Sequence, residues 1–149
     1  LGNQQSPVSV LESVRTASLP LRFDYQESDV IVQKREHALI VQFMDDAPNS
    51  VTNDGERYQL KQIRFHTPAE HMLHTVVTPV EMQLIHQNKA HQALIVAVFA
   101  QTGAENAGLA PLLAHLPEKG APEKRMRFNP AGLLPTKTGF FAYSGSLTW

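Results

Sequence analysis

Apolar residues recur at every second position along much of this chain, the signature of strands that bury one side and wet the other. Leu19 to Tyr25, Val30 to Gln33, Ala38 to Phe43, Arg57 to Phe65, Val80 to His86 and Ala93 to Ala100 are apolar or alternating runs rich in Val, Ile and Phe, and each predicts a strand. Turn signals separate them at Asp45-Asp46-Ala47-Pro48-Asn49-Ser50 and at the hairpin-like Asn53-Asp54-Gly55-Glu56. One helix is predicted over Ala107 to Leu116, where Leu109, Leu112, Leu113 and Leu116 form a stripe at i, i+3, i+4 and i+7, the spacing of a core-packing face. Pro117 to Pro122 reads as a loop and Phe128 to Pro135 as an irregular segment leading to a strand at Gly139 to Tyr143. No internal repeat or low-complexity tract interrupts the pattern, so the class is mainly β (α+β).

Composition narrows the functional classes. The chain has 149 residues, 42% of them hydrophobic, enough for one domain with a buried core and too apolar for a disordered tail. Its 13 basic and 14 acidic residues are interspersed and give a net charge of −1, which argues against nucleic acid as a partner. The densest basic run, Glu123-Lys124-Arg125-Met126-Arg127, reads as a solvated loop rather than a binding site. No apolar span approaches the roughly 20 residues that cross a bilayer, and no signal peptide is visible. No Gly-rich phosphate loop, nucleotide fingerprint or Gly-x-Ser-x-Gly elbow is present.

Candidate chemistry collects in Gln62-Ile63-Arg64-Phe65-His66-Thr67-Pro68-Ala69-Glu70-His71 and in Glu81-Met82-Gln83-Leu84-Ile85-His86. Strand alternation sends Arg64 and His66 to one side, and Glu81, Gln83 and Ile85 share a side of the other strand. Such a layout could gather three ligands, as a catalytic zinc site does with three imidazoles and a fourth position open to water. These positions supply instead one imidazole, one guanidinium and one amide. His66, His71 and His74 could also be read as a relocated cluster, but Thr67-Pro68 breaks any helix that would set their spacing on one face. His86, His91 and His115 look ordinary: a strand end, a turn and a helix.

The same two segments resemble the alpha-class carbonic anhydrase signature, Gln-Phe-His-Phe-His with its following Glu-His, and the companion Glu-x-His-Leu-Val-His. Three more stretches agree in order. Gly2 to Val10 is similar to Gly-x-x-Gln-Ser-Pro-Ile-x-Ile, Phe128 to Pro135 to a Pro-rich turn, and Tyr143 to Thr148 to Tyr-x-Gly-Ser-Leu-Thr. The resemblance implies a twisted, largely antiparallel central sheet with a few short peripheral helices. It implies a single domain over residues 1–149, without the family's opening segment and last strands. It also implies a periplasmic or extracellular location. Secreted members often carry a disulfide joining the segments near Leu1 and Trp149, and this chain has no cysteine.

Carried over position by position, the family's three zinc-binding histidines fall on Arg64, His66 and Gln83. The hydroxyl that orients the zinc-bound hydroxide falls on Thr148, its carboxylate partner on Glu70, and the carboxylate that steadies the third histidine on Glu81. The proton-shuttling histidine of faster members lines up with His37. Gln62 and His71 match supporting positions, the latter with its ring hydrogen-bonded inside the fold. A guanidinium is permanently charged and donates only, so Arg64 cannot ligate a cation, and an amide oxygen at Gln83 is a poor donor to Zn²⁺. The expectation is therefore no zinc and no hydratase turnover, with Arg64 in the metal's place and paired with Glu70 or Glu81, because an isolated buried charge is costly.

Three functions follow. The leading one is a carbonic-anhydrase-like pseudoenzyme without cofactor, acting as a protein-binding or assembly module in a larger complex. The alternative is an active zinc carbonic anhydrase, or an esterase, built on His66 with help from Gln83 or a neighbouring chain. A polyanion binder on the same scaffold ranks third, since the charge balance shows no basic face. Glu70 and Glu81 could be imagined as an acid-base pair, although carboxylates that outlived their metal are the plainer reading.

Overall fold

The computed structural model describes residues 21–35, 38–70, 79–101, 103–118, 121 and 123–136, and the backbone alone at 9–10, 72–73 and 76–77. In chain order the elements are β1 (Ser9–Val10), β2 (Arg22–Asp24), β3 (Ser28–Lys34), β4 (Leu39–Phe43), β5 (Ser50–Asn53), β6 (Glu56–His66), β7 (Met72–Leu73) and β8 (Val76–Val77). They continue with β9 (Val80–Gln87), β10 (Ala93–Ala100), α1 (Ala110–Ala114), β11 (Glu123–Phe128) and a 3-10 turn at Pro130–Leu133. The mainly β expectation holds. Six strands form the spine of an eight-stranded sheet in the order β10-β9-β6-β4-β3-β11, with β5 pairing both β2 and β6. Every pair in that sheet is antiparallel. A small second sheet runs β1-β7-β8, its β1 and β7 parallel.

Strand β6 is eleven residues long and organises the rest. It enters through the predicted hairpin: Asn53 pairs with Glu56, and the two turn residues Asp54 and Gly55 have φ of 50° and 77°. Two consecutive positive φ values match the twist of the flanking strands, which is why Asp-Gly is favoured there. Between Leu60 and Gln62 the register against β9 slips by one residue. Leu60 and Ile63, an odd number apart, therefore both turn into the core, where each is fully buried. Without this bulge, strict alternation would put one of them on the opposite side. The slip thus sets Gln62, Arg64 and His66 on the face away from the core.

The core fills the other face. Val30, Val32, Val41, Phe43, Leu60, Ile63, Met82, Leu84 and Phe128 come from five neighbouring strands, and Leu112 of α1 and Leu133 of the 3-10 turn cap them. Asn49 is buried among them with its polar atoms satisfied: Oδ1 accepts from the Gln26 amide at 2.7 Å and Nδ2 donates to Ser28 Oγ at 2.7 Å. Next to α1, Gly108 faces Gly132 so closely that a Cβ there would stand 2.1 Å from the Gly132 carbonyl oxygen.

Two local expectations change. The helix spans Ala110–Ala114 rather than Ala107 to Leu116, and of its leucine stripe Leu112 is buried while Leu113 is 58% exposed. So short a helix presents one residue to the core. The basic run is no loop: Glu123–Phe128 is a strand antiparallel to β3 and, among the described residues, the edge of the sheet, with Met126 and Phe128 turned to the core and Glu123, Arg125 and Arg127 exposed. Charged side chains on an edge discourage further strand pairing, so the charge run that suggests a loop is also what an edge strand carries. Strand β5, four residues between two turn signals, is too short to announce itself. The strand expected at Gly139 to Tyr143 lies outside the described residues.

Candidate functional site

Antiparallel pairing sets Arg64 opposite Gln83 and His66 opposite Glu81. Directly opposed residues share a face, so these four side chains and Gln62 stand together on the side of the sheet that the bulge turned away from the core. Glu81 and Gln83 are buried at 0% and 1% exposure, and His66 retains 14% of its side-chain exposure. Glu70 joins them from the loop after β6, which contains the cis Thr67–Pro68 bond. Sequence pattern and structure agree on this assembly.

A chain of hydrogen bonds holds the group. Gln83 donates through Nε2 to Glu81 Oε1 at 3.0 Å and to Glu70 Oε2 at 3.2 Å. The other oxygen of Glu70, Oε1, lies 3.2 Å from Nδ1 of His66. Arg64 donates from Nε to Gln62 Oε1 at 3.1 Å. Glu70 is engaged by His66 and Gln83 and Glu81 by Gln83, while Gln62, two residues from Arg64 on the same face, accepts from the guanidinium Nε.

A carboxylate only accepts, so the hydrogen shared between Glu70 and His66 sits on Nδ1. In the neutral ring Nε2 is then a bare acceptor. That atom is buried, with no hydrogen-bond partner among the described residues. Buried polar atoms are nearly always paired, and an unpaired one calls for an explanation.

His66 contrasts with a histidine that looked ordinary in the sequence. His86 lies on the core face of β9 at 0% exposure. Its Nε2 is 2.6 Å from the Tyr25 hydroxyl and its Nδ1 3.1 Å from the Leu94 carbonyl oxygen. The carbonyl fixes the hydrogen on Nδ1, so Nε2 accepts from Tyr25, whose ring stacks on the imidazole at 6.1 Å. Burial lowers the His86 pKa to about 4, opposed by the carbonyls of Leu94 and Leu84, and burial pushes the Tyr25 hydroxyl far upward. Sequence offered no signal for this pair, since Tyr25 and His86 are sixty-one residues apart.

His37, His71 and Thr148 lie outside the described residues, as does His74 of the relocated cluster. Among the described residues no group of three or more His, Cys, Asp or Glu side chains is placed to hold a metal ion. The donor set itself does not fit zinc. His66 Nε2 is a competent ligand atom, but Arg64 brings a fixed positive charge on the same face, and the amide nitrogen of Gln83 is committed to two carboxylates.

A model of the eukaryotic-type carbonic anhydrase family matches residues 1–149. A carbonic anhydrase of Neisseria gonorrhoeae is 30% identical over 148 residues, which is 99% of this chain and 58% of that protein. One from Klebsiella pneumoniae is 30% identical, covering 99% and 61%. Among solved structures, the Photobacterium profundum alpha-carbonic anhydrase superposes with a TM-score of 0.86 at 31% identity, over 98% of this chain and 67% of that one. The alpha-carbonic anhydrase of Thermovibrio ammonificans, in complex with the inhibitor sulfanilamide, gives 0.89 at 30% identity, over 99% and 66%. The chain thus spans about three fifths of the length of these curated relatives.

Proposed function

This chain belongs to the eukaryotic-type carbonic anhydrase family, and from that premise we propose that it is a member that has given up zinc chemistry and serves as a binding module. The observation that carries the reading is the pairing of Arg64 with Gln83 across β6 and β9. In the family's catalytic centre the bound zinc lowers the pKa of a water to about 7 and so supplies hydroxide at neutral pH. Here two of the three ligand positions hold a donor-only cation and an engaged amide, while Glu70 and Glu81 retain the acidic positions around them. Those carboxylates now bind each other's neighbours rather than a metal-centred network.

A protein partner, or a place in a larger assembly, is the role left to a folded domain of this kind, in a periplasmic or extracellular setting. Strand β10 supports it. Among the described residues this strand has a neighbour on one side only, and Leu94 to Ala100 are half-buried apolar residues on both its faces. Such an edge offers a partner both backbone hydrogen bonds and apolar area. No described helix is long and apolar enough to cross a membrane.

Metal analysis and CO₂ hydration test the reading together. The purified chain should carry no zinc, and its hydration rate should equal the buffer rate. The double variant Arg64→His, Gln83→His should take up about one zinc per chain, and with free zinc at a thousand times its Kd should gain about 4 kcal/mol of stability. Stoichiometric zinc with sulfonamide-sensitive hydration in the unaltered chain would establish the rival, an active anhydrase with an atypical metal site.

A further inference from the structure

We propose that a second site, a cleft between β6 and the turn after β9, takes a small polyol that carries a phosphate at each end. The cleft has a volume of about 480 Å³, which is the size of a small-molecule site and more than one inorganic ion fills. None of Gln62, Arg64, His66, Glu70, Glu81 and Gln83 lines it, so the inference goes beyond the reading above and does not depend on it. The lining carries three cations, Arg57, Lys61 and Lys89, against a single carboxylate, Glu56. They come from two separate segments of a chain whose net charge is −1, which is why counting charges along the sequence shows no basic face.

Pairing divides the cations between two ends. Gln59 stands opposite Gln87, and two residues beyond that pair in the same direction lie Arg57 on β6 and Lys89 in the turn. Neither forms an ion pair with a described residue, and Arg57 is oriented by its Nε, which donates to Ser50 Oγ at 3.1 Å. Lys61 lies on the other side of Gln59, four residues from Arg57 and so roughly 13 Å away at the rise of a strand. It is the residue that the bulge between Leu60 and Gln62 leaves out of register with β9, and bulges re-aim side chains in this way. Its Nζ is 3.3 Å from Asp45, whose side chain is 99% exposed, a pair that water weakens and a phosphate can displace.

The middle of the cleft asks for hydroxyls. Gln59 Nε2 donates to the carbonyls of Asp45 and Ala47 at 2.6 and 3.1 Å, so this amide keeps only its oxygen for a ligand. Gln87 Nε2 donates to the His91 carbonyl at 3.3 Å and keeps its oxygen and one hydrogen. A hydroxyl both donates and accepts, and meets either amide. The turn is set before a ligand arrives. Asn88 Nδ2 donates to Gln92 Oε1 and its Oδ1 accepts from the Gln92 amide, both at 2.8 Å, and these bonds hold His91 at a φ of 62° that few residues other than glycine adopt. Preorganised groups lose little on binding. A metal ion or amine would meet the three cations, an apolar ligand would strip the amides of water without replacing it, and a lone phosphate would reach one end.

Three probes on the purified chain separate the requirements: fructose 1,6-bisphosphate, fructose 6-phosphate with one charged end, and 1,6-hexanediol bisphosphate without hydroxyls along its chain. Calorimetry reports affinity, and the side-chain amide resonances of Gln59 and Gln87 report the place. The sugar bisphosphate should bind at least about tenfold more tightly than either analogue, since a site built for charge-assisted bonds and hydroxyls rejects compounds that lack them. It should move the Gln59 and Gln87 amides and leave that of Gln83 in place. K61Q and K89Q should each weaken binding about tenfold, whereas K34Q, the same charge change on β3, should leave it within about twofold. If K61Q at the bulge does not fold, K89Q in the exposed turn decides. No binding of the sugar bisphosphate, equal binding of the hexanediol compound, or a loss in K34Q as large as in K89Q overturns the inference. Stoichiometric zinc in a chain that binds the sugar bisphosphate would remove the reading of the preceding section and leave this one standing.

Discussion

Two histidines on two faces of one sheet show how a buried polar group becomes structure in one place and a site in another. His86 faces the core, and both ring nitrogens are used, one by Tyr25 and one by the Leu94 carbonyl. His66 faces the other way with Nδ1 held by Glu70 and Nε2 left over. Both rings are oriented by an acceptor at Nδ1, so both present the same atom, Nε2, with its lone pair. The core closes that valence with a tyrosine. On the opposite face no described residue closes it. A buried acceptor without a donor costs stability, so the two faces differ in what the same ring costs the fold.

Acid should act most strongly through His86. His86 is neutral when folded and has its pKa lowered to about 4 by burial, against 6.5 for an ordinary histidine. Between those values the unfolded chain binds a proton that the folded chain refuses. The folded state is therefore undiminished by this group above pH 6.5 and loses stability as pH falls toward 4, by on the order of 3 kcal/mol. Urea unfolding measured across that window should show a slope that is absent in His86→Gln. Equal slopes in the two proteins would mean that the core histidine is already wet or already charged.

How much of this was legible beforehand differs by face. Apolar or alternating runs gave the strands β3, β4, β6, β9 and β10 to within two residues at each end. That Arg64 shares a face with His66, and Glu81 with Gln83, was also legible, since alternation along a strand needs no tertiary knowledge, whereas the place of Glu70, on the loop after β6, came from the family resemblance. What pattern could not supply was the partner of each group. Gln83 donates to both Glu81 and Glu70 and Arg64 donates from Nε to Gln62, pairings that depend on cross-strand register. The edge strand β11 was hidden for another reason: four of its six residues are charged, and a strand that guards an edge looks like a loop in composition.

Tyr25→Phe sharpens the comparison by manufacturing in the core the defect that His66 carries naturally. The ring and its stacking on His86 stay, and the hydroxyl alone is lost. His86 Nε2 then becomes a buried acceptor without a donor, which should cost about 1–3 kcal/mol. Denaturant midpoints with an unchanged m-value would register the loss as one of stability. A cost near zero would imply that water reaches His86, and the contrast between the faces would shrink to one of degree.

The smallest change is expected from the mirror experiment, His66→Phe. Two effects oppose each other there. The substitution forfeits the contact between Nδ1 and Glu70, worth about 1 kcal/mol, but Glu70 keeps the Gln83 amide as its donor. It also removes the unpaired Nε2, whose desolvation the folded state otherwise bears without return, a gain of similar size. The net should lie within about 1 kcal/mol of zero, in either direction, by urea unfolding at neutral pH. A loss as large as that of Tyr25→Phe would show that His66 holds the fold together through partners of its own, and the open valence would then be a feature of packing rather than of a site. A neutral or stabilised variant would show that the cost of the unpaired Nε2 matches what the Glu70 contact returns.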